Sequence, residues 1–306
     1  MSLAASPQWN NMWIEHSKTY YRFQLAKDSL VRIPQSVLSS AGLGSVNADH
    51  FQLWRNGEQV RIYTSVTGAP LPAAGYIEFW GLMNDGKTDK VLYRNADFQL
   101  ADKYSLENAT ASCFLTVNTA GANLRFDNAV NATPSSPTPD AYFMRKVDIY
   151  YKNQINRGLG YDAGEYVYSS SYDQGEGWSG PNITSAGALT QEFRDLNVYM
   201  AGPANSLSVW ANIAGNAPNI RNARVRLQAL TVHDAPLPGF SYVRVNVNNL
   251  PLSTLNNPAS AFMFVENSSS NVNDRITVPC MGFTYPATFN FNNSKNFYFE
   301  LAASAS

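Results

Sequence analysis

Four carboxylates and three aromatic side chains lie close together in one Gly- and Tyr-rich stretch of the chain, and they could do chemistry there. The set is Tyr161, Asp162, Glu165, Tyr172, Asp173, Glu176 and Trp178. A pair of carboxylates can hydrolyse a glycosidic bond, and aromatic rings can bind a sugar without any reaction. The structural alternative is a long ordered loop in which Trp178 fills the end of a β-sandwich. Because nothing in the sequence sets two carboxylates at a catalytic separation, ligand binding is favoured over hydrolysis.

The oxygen-rich loop at residues 84–89 is a second candidate site. Asn84, Asp85 and Asp89 offer the amide and carboxylate oxygens that Ca²⁺ prefers. The loop lacks the acidic residue that ends an EF-hand loop, and Lys87 adds repulsion. The alternative is a turn that Asn and Asp side chains cap. Calcium is thus the one metal that the sequence leaves open, and no other cofactor is expected.

Cysteine and histidine are too sparse to predict a catalytic pair. Cys113 and Cys280 each lie in an apolar, strand-like run rather than in a Gly-rich turn that would present a nucleophile. They are interpreted either as buried free thiols or as a single disulfide between two domains. A reactive thiolate needs a histidine or another activating group beside it, and the three histidines are His16, His50 and His233. We therefore assign no catalytic residue and expect a chain that is not itself an enzyme.

The length and the net charge of the chain limit its domain number and its expected partners. The chain has 306 residues, enough for about two domains at roughly 100–200 residues each. Its net charge is −1 and it has no cluster of Lys and Arg, so nucleic acid is not an expected partner. No apolar run approaches the ~20 residues of a membrane-spanning helix, so no membrane insertion is expected. Charged residues are only 15%, so Asn, Ser, Thr, Gly and Tyr supply the polarity, as is typical of short strands and turns.

Short strands and turns dominate the first part of the chain. Asn56-Gly57 between two alternating runs is a strong hairpin signal, and a short helix is predicted over residues 34–42 because a proline begins it and a glycine follows it. Strands are predicted at residues 20–25, 30–33, 51–55, 59–63, 76–80 and 113–117.

A Pro/Ser/Thr-rich stretch at residues 131–140 is interpreted as a linker between a domain at 1–130 and a domain at 141–306. Strands in the second domain are predicted at residues 142–150, 191–200, 206–213, 223–232, 242–247, 261–266, 275–278 and 296–301. The predicted fold is therefore mostly β: a small β-rich N-terminal domain with one short helix, followed by a β-sandwich that resembles a jelly roll.

An ordered set of short segments carries a resemblance to a known family. The segments are Tyr20–Phe23, Val31–Ile33, Leu38–Gly42, the run FQLWRNG at residues 51–57, YIEFWG at 76–81 with NDG at 84–86, and EGW at 176–178. They resemble the region that precedes the peptidase domain in gingipain-like cysteine peptidases, which include the sortase-like surface component of the Bacteroidetes type IX secretion system. The resemblance covers most of residues 20–180. It implies an exported Bacteroidetes surface protein in which this chain is an N-terminal, non-catalytic region, since the family's catalytic Cys and His have no counterpart here.

The two ends of the chain favour the same interpretation. Met1–Ser6 has neither the basic part nor the apolar part of a signal peptide. A strand-like run and then small residues end the chain. We therefore expect a segment of a longer secreted or cell-surface protein, whose signal peptide is not part of this sequence.

Three functions remain, of which the weakest is an enzyme with carboxylate chemistry in the region Tyr161–Trp178. One is an interaction and structural module that docks a downstream domain of the same parent chain. Another is a carbohydrate-binding β-sandwich that tethers a partner to polysaccharide, because sugars need aromatic faces and amides more than ions. Exposed coplanar aromatic rings would favour sugar binding, whereas a large apolar patch would favour docking.

Overall fold

The chain folds mostly as antiparallel strands, as the sequence predicts. The computed structural model describes residues 11–121, 123–127, 140–168, 172–294 and 297. The backbone divides into two compact units, the first made of Met1–Asp85 and Glu107–Pro134 and the second of Gly86–Leu106 and Ser135–Ser306. Gly86–Leu106, which the sequence pattern placed with the first domain, thus packs with the second unit. Of the predicted linker at residues 131–140, all but Asp140 lie outside the described residues.

Seven strands form two sheets in the first unit. They are β1 (Tyr21–Leu25), β2 (Ser29–Pro34), β3 (Phe51–Arg55), β4 (Glu58–Val60), β5 (Tyr63–Thr64), β6 (Tyr76–Gly81) and β7 (Ala111–Val117). One sheet has the order β1-β7-β3-β4 and the other the order β2-β6-β5. The helix α1 (Gln35–Ser40) follows β2, and 3₁₀ turns occupy Asn11–Trp13 and Ala48–His50.

The turn at Asn56-Gly57 and the helix α1 form where their residue types predict them. Asn56 and Gly57 both adopt positive φ, 50° and 79°, which is the turn geometry that suits the right-handed twist of a two-residue hairpin. The helix α1 begins directly after Pro34, and Gly42 has a φ of 80° just beyond the helix end. The predicted helix and the β3–β4 hairpin are therefore confirmed.

The core of the first unit lies between its two sheets. Phe51, Leu53, Ile62, Ile77 and Phe79 are buried almost completely. Each such side chain contributes about 1.5–3 kcal/mol relative to leaving it in water.

The described residues of the second unit form thirteen strands. They are β8 (Phe143–Tyr150), β9 (Gln154–Asn156), β10 (Leu159–Asp162), β11 (Glu165–Tyr168), β12 (Gly177–Ser179), β13 (Ile183–Thr184), β14 (Ala188–Arg194), β15 (Leu207–Gly215), β16 (Arg221–Leu227), β17 (Leu230–Leu237), β18 (Tyr242–Leu250), β19 (Ser260–Asn267) and β20 (Arg275–Ala287). Short 3₁₀ helices lie at Gly86–Leu92, Ala96–Phe98 and Leu252–Thr254.

Two antiparallel sheets of this unit form the predicted β-sandwich. In the larger sheet β18, β15 and β20 are neighbours, and both β8 and β13 pair with β20. The smaller sheet has the order β14-β19-β16-β17. Val209, Ile213, Val225, Met263 and Phe283 belong to the apolar core of the unit. Strands β16 and β19 alternate buried and more exposed residues, as strands with one face on a core do.

Several predicted strands have other bounds in the structure, and the one predicted at 59–63 is divided into β4 and β5. Residues 223–232 form the hairpin β16–β17 instead of one strand, because Gln228 adopts a φ of 52° without the Gly or Asn that would have signalled a turn. The strand predicted at 191–200 is β14, which ends at Arg194 before the positive φ of Asp195. The strand predicted at 275–278 continues to Ala287, and the prediction at 296–301 falls outside the described residues except for Phe297.

A fully buried ion pair joins the strand ends of the sandwich. Arg221 at the start of β16 contacts Asp274 with both side chains 0% exposed, and its Nε lies 3.0 Å from each carboxylate oxygen. The remaining N–H groups of Arg221 donate to the carbonyls of Ala217, Leu237 and Gly239. The guanidinium of Arg221 therefore has hydrogen-bond partners on several loops and links these loops to one another.

Among the described helices, none has the length and apolar character needed to cross a membrane.

Candidate functional site

The segment Gly86–Leu106, which we call the covering segment, is held by side chains of the larger sheet. The Leu100 carbonyl accepts hydrogen bonds from Asn212 Nδ2 at 2.6 Å and from Cys280 Sγ at 3.2 Å. The Gln99 carbonyl accepts one from Arg244 Nη2 at 2.9 Å. These donors point away from the sandwich core, so the covering segment lies on the outer face of this sheet.

The loop at residues 172–178, which contains four of the predicted site residues, also binds the covering segment. Arg94 donates its backbone N–H to the Tyr172 carbonyl at 3.0 Å, and its Nη1 lies 2.9 Å from Asp173 Oδ2. The Tyr172 ring packs edge-on against Tyr93, with 5.1 Å between centroids. Trp178 Nε1 donates to the Ser105 carbonyl at 3.0 Å. Tyr172 and Trp178 of this loop thus pack against the covering segment.

Asp173 and Glu176, the two carboxylates of this loop, lie close together and accept hydrogen bonds within the loop. Asp173 is 3% exposed, and its backbone N–H donates to Glu176 Oε2 at 2.9 Å. Burial, and then the charge of Asp173, raise the pKa of Glu176. The backbone carbonyl of Glu176 accepts the Tyr93 hydroxyl at 2.8 Å. Ligand binding or hydrolysis by this loop stays a prediction.

The remaining residues of the predicted set lie on a separate hairpin. Asp162 and Glu165 face each other across the β10–β11 turn, whose residues Ala163 and Gly164 have φ values of 49° and 88°. Glu165 is exposed, whereas the side chains of Tyr161 and Asp162 lie outside the described part of the chain. The structure therefore divides this sequence cluster between a hairpin and a loop.

The predicted calcium ligands also belong to different units. Asn84 and Asp85 are in the first unit, where Asn84 Nδ2 donates to the Asn108 carbonyl at 2.5 Å. Asp89 is in the second unit and is 5% exposed. Its Oδ1 accepts the Ser105 hydroxyl at 3.0 Å and its Oδ2 accepts the Leu106 N–H at 2.8 Å. Within the described ranges, no group of three or more His, Cys, Asp or Glu side chains is placed to hold a metal ion, and calcium binding stays a prediction.

A cleft of about 370 Å³ remains between the covering segment and the larger sheet. Four residues in register cross four strands and form its floor: Arg244 on β18, Asn212 on β15, Cys280 on β20 and Tyr150 on β8. The walls come from the covering segment, namely Lys87, Lys90, Ala96, Gln99, Leu100, Ala101 and Asp102. No local sequence pattern predicts this floor, because its four residues are far apart in the chain and each lies in a segment typical of a β-strand.

Both cysteines are free and buried, which confirms the interpretation as buried thiols. Burial raises the pKa of Cys280 to about 12, and it also raises the pKa of Cys113. A thiol with so high a pKa carries almost no thiolate at neutral pH and is a poor nucleophile.

An open groove of about 740 Å³ lies at one end of the smaller sheet. Phe264 lines it, with the Arg226 guanidinium 4.4 Å from the ring centroid, and Phe262 stacks beside Phe264 at 6.4 Å and is 38% exposed. Amide and hydroxyl side chains complete the lining at Gln228, Ser253, Thr254 and Asn256. The groove combines an aromatic ring with uncharged hydrogen-bonding groups.

The fold of this chain is also found in a solved structure. The chain is similar to dimeric latent PorU from Porphyromonas gingivalis, with a TM-score of 0.50 and 10% identity over 90% of this chain and 25% of that one. The chain therefore spans about a quarter of the length of that protein, and the likeness shows a shared fold.

Two further solved structures match with lower TM-scores. The carbohydrate-binding module CBM36, solved with calcium and xylotriose, matches 45% of this chain and 98% of its own length at 10% identity and a TM-score of 0.27. The ANXUR2 extracellular domain from Arabidopsis thaliana matches 88% of this chain and 84% of its own length at 9% identity and a TM-score of 0.30. Likeness at this level carries no argument about function. No protein-family model and no curated protein matches the sequence.

Proposed function

We propose that the chain is a non-catalytic interaction and structural module of a secreted, gingipain-like cysteine peptidase or of a related surface protein. The observation that supports it is the fold shared with latent PorU, which extends across 90% of this chain. The ordered segments between residues 20 and 180 support the same assignment independently, because they were found from sequence and not from backbone shape.

The chemistry of the described residues is consistent with a non-catalytic module. Both thiols are buried with raised pKa values, and Cys280 donates its S–H to a backbone carbonyl. The buried carboxylates of Asp173 and Asp89 accept hydrogen bonds from Arg94 and Ser105 of the same unit. The work of the module is then to present surface to a downstream domain of the same parent chain, at the cell surface or after secretion.

The experiment is to determine the coding sequence of the source gene and to express its full product beside a version without this chain. We expect a downstream cysteine peptidase domain whose thermal stability falls when the module is deleted, while the purified module cleaves no peptide substrate. A different downstream domain, or peptidase activity of the module alone, would contradict the proposal.

A second candidate function is carbohydrate binding, and the groove beside Phe264 is the observation that favours it. Affinity electrophoresis through gels containing soluble polysaccharides would test it. We expect retardation by a polysaccharide that the variant Phe264→Ala loses, while the control Phe289→Ala, which removes an exposed ring outside the groove, keeps it. Equal migration in all gels would remove this candidate.

A further inference from the structure

The cleft above the larger sheet has a floor that the sheet register sets rigidly. Asn212 pairs with Arg244 on one side and with Cys280 on the other, and Cys280 pairs with Tyr150. Residues opposite each other in neighbouring strands place their side chains on one face, about 4.5–5.5 Å apart. The four side chains therefore form a continuous row across the sheet.

Two of these floor residues donate hydrogen bonds to the covering segment, and two others have groups that can bind a ligand. Asn212 and Cys280 donate to the Leu100 carbonyl. Arg244 uses one nitrogen, Nη2, for the carbonyls of Asp97 and Gln99, which leaves the other N–H groups of its exposed guanidinium. The Tyr150 hydroxyl has no hydrogen bond among the described residues, although its ring is held 6.0 Å from the ring of Trp210.

The charge around the cleft favours an anion. Lys90 and Arg244 line it together with the carboxylate of Asp102, and the other carboxylate close to Tyr150, Asp148, is paired with Lys146 at 3.3 Å. Within the described part of the chain, Lys90 forms no ion pair and the Asp102 carboxylate accepts no hydrogen bond. Cations beside a partly buried wall attract an anion more strongly than the same cations in open water.

We propose that this cleft is a binding site for a small ligand that carries a carboxylate or phosphate group together with a hydroxyl group. Lys90 and Arg244 bind the oxyanion, the Tyr150 hydroxyl donates to it, and the Asp102 carboxylate accepts the hydroxyl of the ligand. The volume of about 370 Å³ lies in the range of about 300–1,000 Å³ that is usual for small-molecule sites. This site is separate from the docking function proposed above, and either can hold without the other.

Isothermal titration of the full chain with inorganic phosphate and with malate, at an ionic strength kept constant with chloride, tests the proposal. We expect saturable binding of at least one probe, and the preferred probe tells a phosphate ligand from a carboxylate ligand. The variant Lys90→Gln should weaken binding about tenfold, since charge-assisted hydrogen bonds are roughly twice as strong as neutral ones. Tyr150→Phe keeps the ring beside Trp210 and should weaken binding by a smaller factor of about 3–5, as expected for one neutral hydrogen bond.

The control Lys103→Gln removes the same charge from an exposed neighbour in the covering segment that does not line the cleft. Binding by this control should stay within about twofold of the parent, because exposed charges outside the site are screened by salt. Equal weakening by Lys90→Gln and Lys103→Gln would show general charge attraction and overturn the site. The absence of saturable binding for both probes would overturn it as well, with the melting temperature of each variant confirming that it is folded.

Discussion

At the scale of single residues, Arg221 and Asp274 show how a charged pair can be kept inside an apolar sandwich. Both side chains are 0% exposed, and every charged group has several hydrogen-bond partners. Burial alone would raise the pKa of Asp274, but hydrogen bonds from Arg221, Asn267 and Ser269 outweigh it and hold the pKa below its usual value. Each of the two charges is thus stable in the core only while its partner is present.

Removing one partner should therefore cost much more than breaking a surface pair. Asp274→Ala leaves a buried unpaired guanidinium, and we expect a loss of about 3–5 kcal/mol in the free energy of unfolding by urea. The control Asp234→Ala breaks an Arg–Asp pair of the same kind on the exposed side of β17, where Arg224 is 42% exposed. A comparable loss in both variants would contradict the role given to burial.

The pH dependence of the same site follows from the direction of its pKa shift. An aspartate with a depressed pKa stabilises the fold above its unfolded pKa of about 3.9, and that contribution is lost as the pH falls through the lower folded value. Urea titrations between pH 7 and pH 3 should therefore show a component of acid destabilisation in the parent chain that Asp274→Asn lacks. Parallel pH profiles for the two proteins would be inconsistent with a lowered pKa at this position.

At the scale of single elements, the β3–β4 hairpin depends on two residues with left-handed backbone. Gly57 has a φ of 79°, a conformation that costs a side chain with a Cβ roughly 1–2 kcal/mol. We expect Gly57→Ala to lower the free energy of unfolding of the first unit by about 1 kcal/mol. Glu58→Ala, an exposed neighbour on β4, serves as the control and should stay near the parent value.

The covering segment gives a second prediction at this scale, because Cys280 reports whether it is in place. Arg244→Ala removes the donor to the carbonyls of Asp97 and Gln99, so local opening should become more frequent and thiol reagents should modify Cys280 faster. Peptide mass spectrometry distinguishes Cys280 from Cys113. The control is Arg275→Ala on the same sheet. An unchanged rate of Cys280 labelling in Arg244→Ala would show that Arg244 does not hold the covering segment in place.

At the scale of the whole molecule, each compact unit consists of two separate chain segments. The second unit takes Gly86–Leu106 from a position in the chain between two segments of the first unit. Within the second unit, the Leu100 carbonyl of this segment accepts the Cys280 S–H of β20, a strand whose residues are buried along most of its length. A cut at residue 135 would leave the sandwich without part of its own structure.

Complementation in trans tests this organisation. A fragment with residues 135–306 should melt below the full chain, and a synthetic peptide with residues 86–106 should raise its melting temperature in a concentration-dependent manner, because a ligand that binds only the folded state stabilises it by mass action. A peptide of the same composition in scrambled order is the control. No difference between the two peptides would mean that the segment adds nothing to the unit.

Much of the fold could be predicted from local patterns. The alternation in residues 20–25 and 76–80, the Asn56-Gly57 turn and the helix after Pro34 are all short-range signals, and each forms where it was predicted. Predictions went wrong where a turn lacked a typical residue, as at Gln228, or where a strand is covered on both faces, as β20 is. In both cases tertiary packing supplies what the local pattern lacks.

For the candidate sites, too, some features follow from local sequence and others depend on contacts between distant strands. The mostly β fold and the low content of charged residues could be predicted from the sequence alone, because these properties follow from residue types and their near neighbours. Tertiary contacts, in contrast, bring Asp173 and Trp178 against the covering segment, bond Asp89 to Ser105 within that segment, and place Arg244, Asn212, Cys280 and Tyr150 in one row. Strand register sets that row between residues up to 130 positions apart, and no local pattern encodes which distant strands become neighbours.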